Sequence, residues 1–323
     1  MADGRTKSVL VKAPRAPLGV CRALAAAAVL LSLAAAARGE AILIVLSGDA
    51  DPYNQAAAAL QESPQLKGQA FETRQLAEVI AAKSLPSDTH VVVAIGSQAA
   101  VWLKGQLSAD QHMVFCMVAD AEGLFSARDL EGPANICGVS TDIKPANQLA
   151  IIREAMPKAR RMGLLYDSRN ERSVRLLRRA QGEMLEGTEL VAVDVAGHKS
   201  AGQAVEALFE KRIDVAWTMP DSAVYDTATT RTLLLRAIRS STPVFGFSPA
   251  FVRAGALLGV GVEPAGQGRQ AAEIVASLLA GRHREEVLDP QPVLAVNLIV
   301  AEKLSVKLPR SVVERAAYVF RPQ

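Results

Sequence analysis

From Ala41 onward the chain repeats one unit: a short, almost unbroken apolar run, a turn, then a longer amphipathic stretch. "AILIVLS" precedes the helical "NQAAAALQES", "HVVVAIGS" precedes "QAAVWLKGQL", and "HMVFCMV" and "NICGVS" follow, with "AFETRQ" as a weaker strand. Side chains of a strand point alternately to its two faces, so a strand that is apolar at every position must be covered on both. A parallel sheet with helices on either side meets that demand. The expected class is therefore α/β, built on doubly wound parallel sheets.

The rhythm restarts after Ser140. "PANQLAIIREAM" reads as a helix, "RMGLLYD" as a strand, "ERSVRLLRRAQGEML" as a helix and "ELVAVDV" as a strand; "AGQAVEALFEKR", "DVAWTMP", "TATTRTLLLRAIRSS", "PVFGFS" and "GALLGVGV" continue the alternation. Two such blocks of similar size predict two Rossmann-like lobes, without a detectable sequence repeat. A helix "GRQAAEIVASLLAG", a strand "VLAVNLIV" and a helical tail "SVVERAA" remain. If these return toward the first block, three segments cross between the lobes. The expected division is a segment 1–37 removed on export, a first lobe of 38–141 and 264–290, and a second of 142–263 and 291–323. Val139 and Ser140 mark the first crossover, and Gly259, Gly261 and Gly266 are expected to allow the bend and close approach between lobes. In open α/β sheets ligands bind beyond the carboxyl ends of the strands, so two facing sheets make a closing trap.

The N-terminus reads as a cleaved secretory signal. Arg5, Lys7, Lys12, Arg15 and Arg22 precede the apolar "ALAAAAVLLSLAAAA", and Ala35 and Ala37 supply a small-residue cleavage site. Cys21 lies before the apolar core, where no lipid attachment is made. The whole chain has 36 basic and 33 acidic residues; without residues 1–37 it has 31 and 32, so the formal charge changes from +3 to −1. The basic excess belongs to the signal, and no basic stripe with interleaved aromatics remains to favour nucleic acid. About 285 residues are left, a length that suits two domains. Cys116 and Cys137 fall in neighbouring strand-like runs, where either a disulfide or two buried free thiols would fit. His90, His112, His198 and His283 are scattered and there is no C-x-x-C, so neither a metal site nor another cofactor is expected.

Two stretches imitate catalytic motifs and fail on inspection. In "GALLGVGVEPAGQG" the glycines have phosphate-loop spacing, but Gly266 is followed by Gln267 and Gly268 where Lys and Ser/Thr are needed. Glu263 would repel phosphate and Pro264 lacks an N–H. A dinucleotide fingerprint begun at Gly259 and Gly261 meets Pro264 in place of its last glycine. In "FGFSPAF" the order Gly246, Phe247, Ser248 suggests a nucleophile elbow, yet Pro249 cannot give the oxyanion N–H that follows the serine. Ser248 is better read as a helix N-cap with Pro249 at the first helical position. No nucleophile, base and oxyanion hole assemble, so an enzyme is not expected.

Polar residues cluster instead at the predicted strand ends. They are Ser47, Asp51 and Tyr53 after the first strand, Ser97 and Gln98 after the third, and Asp120 after the fourth. In the second block they are Asp167, Ser168 and Ser173, then Asp221, then Phe247 with Ser248. Ser97 and Gln98 open a helix and suit a ligand carboxylate, Asp221 suits an ammonium group, and Tyr53 or Phe247 suits an apolar side chain.

Three longer segments resemble one family. "GVSTDIKPANQLAIIREAMPKARRMGLLYD", "TPVFGFSPAFVRAGALLGVGVEPAGQGRQAAEIVASLLAG" and "VLAVNLIVAEKLSVKLP" are similar to the crossover, the return helix and the closing segment of substrate-binding proteins of ABC transporters, of the tryptophan/tyrosine-binding type. The resemblance covers most of the chain after Gly138 and is looser before it. It implies a type I periplasmic-binding fold, two lobes on a three-segment hinge, no catalysis, and an ABC permease as partner. It also places Ser97, Asp120 and Asp221 at ligand-site positions. The chain departs from the family pattern at Arg172, where asparagine is usual before Ser173, and at Ser222, also usually asparagine. With few aromatics, the expected ligand is amino acid-like without being tryptophan in particular. The expected function is thus a monomeric periplasmic solute-binding protein of an ABC importer, with a periplasmic sensing subunit for a membrane receptor as the alternative.

Overall fold

The structure, a computed structural model, describes residues 41–86, 89–130, 136–282 and 287–322, less the side chains of Ala127 and Arg128. The expected signal segment 1–37 lies outside the described residues. The first block runs β1 (Ile42–Leu46), α1 (Asp51–Gln61), β2 (Phe71–Gln75), α2 (Leu76–Ala82), β3 (Val91–Ile95), α3 (Ser97–Lys104), β4 (His112–Val118), the short α4 (Ala121–Leu124) and α5 (Ala127–Leu130), and β5 (Ile136–Ser140). The second runs α6 (Pro145–Ala155), β6 (Arg161–Tyr166), α7 (Glu171–Gly182), β7 (Glu189–Asp194), α8 (Ala201–Glu210), β8 (Val215–Trp217), α9 (Thr227–Arg239), β9 (Val244–Gly246), α10 (Pro249–Ala254) and β10 (Leu258–Val262). The chain closes with α11 (Pro264–Leu279), β11 (Val287–Leu288), β12 (Pro292–Asn297), α12 (Leu298–Lys303), α13 (Arg310–Arg315) and β13 (Tyr318–Phe320).

Two sheets result, ordered β11-β5-β4-β3-β1-β2 and β13-β12-β10-β9-β8-β6-β7. The first is parallel throughout. In the second, β12 runs antiparallel to β10, a strand direction that the apolar pattern does not encode. Burial explains the unbroken apolar runs. Ile42, Ile44 and Leu46 of β1 join the layer under α1 and α11, while Leu43 and Val45 join the layer holding Val79 of α2 and Leu103 of α3. In the second lobe Met162 and Leu164 of β6 pack with Leu149 and Leu177, whereas Leu165 packs with Val205 and Leu233. The closing apolar run "VLAVNLIV" is shorter as a strand than expected, because Asn297 caps α12 by accepting from the Val300 N–H at 3.1 Å.

Three segments pass between the sheets: residues 141–144 after β5, Glu263 between β10 and α11, and residues 289–291 between β11 and β12. One face of α11 ties them together. The Gln267 side chain accepts from Met117 N–H at 3.1 Å and donates to the Ser140 carbonyl at 3.1 Å. Gln270 donates to the Asp289 carbonyl and accepts from the Gln291 N–H. Lys144 and Asp289 pair at 2.6 Å across two of the crossing segments. Val139 and Ser140 are buried at the end of β5, beside this junction.

The glycines behave differently from one another. A Cβ at Gly261 would stand 2.9 Å from Ser248 Cα and 3.0 Å from the Phe247 carbonyl oxygen, both in the second lobe. A Cβ at Gly266, in the first turn of α11, would meet nothing nearer than 3.7 Å. Glycine at 261 therefore serves packing inside the second lobe, whereas position 266, expected like it to allow the bend, has space for a side chain. Close approach between elements falls at Gly268, where a Cβ would overlap the Ala56 carbonyl oxygen of α1.

Cys116 and Cys137 lie in the same apolar layer, both free and buried, so the disulfide alternative is not formed here. The register pairs Cys137 with Val114 and then shifts between Phe115 and Val118, which leaves the two thiols diagonal rather than opposite. Met117, at φ 55°, makes the irregularity. Burial pushes both thiols up to about 12.

Candidate functional site

Each sheet carries the order 2-1-3-4-5 in its parallel part, which puts a topological switch point beside its first strand: between β1 and β3, and between β6 and β8. The loops leaving these strands hold the polar residues singled out above. On the first lobe, the Ser47 hydroxyl accepts from the Ala99 N–H at 2.9 Å, and Ser97 Oγ accepts from the Ala119 N–H at 3.3 Å. Tyr53 is half-buried over Gly96, whose φ of 96° and crowding by Ser47 and Tyr53 exclude a side chain there. Ser47, Tyr53 and Ser97 thus form one cluster at the switch point. Gln98 is exposed on the first turn of α3.

On the second lobe, Ser173 Oγ is buried and accepts from the Asp167 N–H at 2.7 Å. The Asp167 carboxylate takes an edge-on fork from Arg169, Nε at 2.9 Å and Nη2 at 2.8 Å, and these hydrogen bonds hold it below the usual carboxylate range. Asp221 is buried at the end of the β8 loop, where it accepts from the Ala223 N–H at 3.0 Å. Phe247 joins Tyr225 and Phe251 at 5.8 and 4.9 Å between ring centres and lines a groove of about 570 Å³ within the second lobe. Phe247, expected to pack on a ligand's apolar side chain, is thus held by an aromatic cluster of its own lobe. Ser248 caps α10, accepting from the Phe251 N–H at 3.1 Å.

Across the gap between lobes the structure reveals a feature that the strand-end reading missed. Arg172, Arg175 and Arg179 occupy one face of α7, and each reaches a carboxylate on the first lobe or its crossover. Arg175 pairs with Asp120, Arg179 pairs with Glu122, and Arg172 stands 3.6 Å from Asp142. Asp120 is therefore already matched by a cation of the chain itself. The Asp142 carboxylate accepts from the Asp120 N–H at 2.6 Å, and burial raises its pKa, with Arg172 acting the other way. Beside this row lies a cleft of about 380 Å³ whose wall includes Glu122, Asp142, Lys144, Gln148, Arg179 and Met219. The spacing of the three arginines along "ERSVRLLRRAQGEML" was a legible helical stripe. What it faces was not.

Among the described residues, Asp120 and Asp167 pair with arginines and Asp51 is exposed at the start of α1, whereas Asp221 is buried without a basic side-chain partner. A half-buried carboxylate loop, a hydroxyl cluster at a switch point and a guanidinium row suit reversible capture of a small polar molecule.

Residues 65–320 match the family model described as ABC transporter substrate binding protein. Comparison with curated protein sequences finds no match. Among solved structures, the chain is similar to a conserved domain protein of Vibrio cholerae, with 22% identity, a TM-score of 0.64, and 87% of this chain and 100% of that chain covered. It is similar also to an ABC domain from Streptococcus pneumonia in complex with L-Trp, with 18% identity, a TM-score of 0.63, and the same coverage of 87% and 100%. A ligand-free, open substrate-binding protein with adhesive properties from Clostridium difficile aligns at 17% identity and a TM-score of 0.69, over 88% of this chain and 100% of that one. These likenesses share the type I periplasmic-binding architecture described above. The family match spans well over half of the sequence, and the chain belongs to the ABC transporter substrate-binding proteins.

Proposed function

We propose that this chain is the solute-binding component of an ABC importer, exported through its N-terminal signal to the periplasm, where it works as a monomer. It closes its two lobes on an amino acid-like ligand and presents it to an inner-membrane permease. The motion is a shift of population between open and closed forms, with no covalent step. The observation that carries the ligand class is Asp221, a buried carboxylate that no basic side chain among the described residues pairs with, which suits an ammonium group. Ser97, opening α3 and half-buried at the switch point, supports a place for a polar or anionic group. Tyr53 offers an apolar face with a polar tip beside it.

A thermal-shift screen of the exported protein against the twenty L-amino acids tests the reading. A ligand that binds the native state alone raises the melting temperature. A rise with one or a few amino acids, and its loss in Asp221→Ala, is the expected result. No rise with any of them would overturn the ligand class.

A further inference from the structure

The proposed amino-acid reading leaves open which group takes the ligand's negative end, and α7 holds a residue fitted for it. Arg172 lies one position before Ser173, in the first turn of the helix that follows β6 at the switch point. Its Nε and Nη2 are shielded from solvent and have no hydrogen-bond partner among the described residues. Those two atoms form the straight edge of a guanidinium that grips a carboxylate with two parallel bonds. Arg169, three residues earlier, shows that edge satisfied by Asp167. The ion-pair partner of Arg172, Asp142, places Oδ1 at 3.6 Å from Nη2, beyond hydrogen-bonding distance, and that oxygen is buried with no hydrogen bond among the described residues. Asp142 cannot simply swing across, because its other oxygen holds the Asp120 N–H. Arg175 Nε is also unpartnered, but its Nη2 is committed to Asp120, and Arg179 is committed to Glu122.

We infer that Arg172 is the receptor for the ligand's carboxylate, taking it edge-on through Nε and Nη2. Asp142 beside it offsets part of the guanidinium charge, which suits a singly charged acid and disfavours a dianion such as phosphate. The role differs from that expected for Ser97, which becomes a flanking hydroxyl.

The inference rests on the amino-acid reading, and one experiment separates the two. Calorimetry is run with the twenty L-amino acids and with the amines that lack their carboxylates, against wild type, Arg172→Gln and Arg172→Lys. For the best-bound amino acid, Arg172→Gln should lose about 100-fold in affinity, the worth of two charge-assisted hydrogen bonds. Arg172→Lys, which keeps the charge without the fork, should recover part of it, and should serve alone if the glutamine variant does not fold. The matching amine should bind wild type and variants alike. Equal losses for acid and amine, or none for either, would remove Arg172 as the anchor and leave the ligand class standing. Wild type binding none of the amino acids would remove both.

Discussion

Three glycines within eight residues, Gly261, Gly266 and Gly268, look interchangeable in sequence and should respond to alanine in opposite directions. At Gly268 the new methyl would be driven into the Ala56 carbonyl of α1, a backbone atom that no rotamer change can move. The two helices must separate, and overpacking of this kind costs about 1–3 kcal/mol or more. At Gly261 the methyl meets Ser248 Cα at 2.9 Å, the Phe247 carbonyl at 3.0 Å and Pro249 Cδ at 3.1 Å. Those neighbours must give by a few tenths of an ångström, for a loss of about 1–2 kcal/mol. At Gly266 the nearest atoms stand at 3.7 to 3.9 Å, ordinary van der Waals contact, and the position is helical. Alanine there restricts the unfolded chain and should stabilise by about 0.4–1 kcal/mol. Urea unfolding at constant slope reads all three, a change of 1 kcal/mol moving the midpoint by roughly 0.3–1 M. A loss at Gly266→Ala as large as at Gly268→Ala would refute the packing argument. So would an unchanged midpoint for Gly261→Ala.

Two further outcomes follow from the buried groups. Because burial raises Cys116 and Cys137 to about 12, the native protein without residues 1–37, and so without Cys21, should resist thiol reagents at about pH 8 and yield two titratable thiols once unfolded; absence of both after unfolding would reveal a bridge. Asp167 is held below its ordinary 3.8 by Arg169, so its contribution to stability is complete above the unfolded value and is lost as pH falls through the depressed one. Melting temperatures of Asp167→Asn should therefore vary less than those of wild type below about pH 4, and an unchanged acid limb would count against the pair.

The layer architecture could be read before any coordinates because burial on both faces leaves a direct mark: "ILIVL" and "VVVAI" have no polar position to turn outward. Strand direction leaves no such mark, and so the antiparallel β12 went unseen. Strand-end hydroxyls and carboxylates were legible as positions, since caps and cleft residues share residue types. Their partners were not. Asp120 reads as an unmatched acid until α7 is laid across it, and Arg175 reads as a solvated helix residue until the lobes are brought together. Gln267 and Gln270 were passed over for a related reason: an amide among alanines and glycines looks like surface, yet both are buried and hold backbone groups of the crossing segments.

The return of α11 to α1 also makes completion of the first lobe non-local in sequence. The first lobe's apolar layer needs Ala271, Ile274 and Val275, and its edge needs β11, although β1 to β5 are complete by Ser140. Until the last fifth of the chain is available, that layer stays open on the α1 side, and the second lobe's layers likewise wait for Leu294, Ala295 and Val296 of β12. Non-local closure of this sort is slow because the loop must be ordered before its contacts reward it. Both lobes should therefore reach full protection from hydrogen exchange only after the last fifth of the chain has docked, the first of them when Gly268 seats against Ala56.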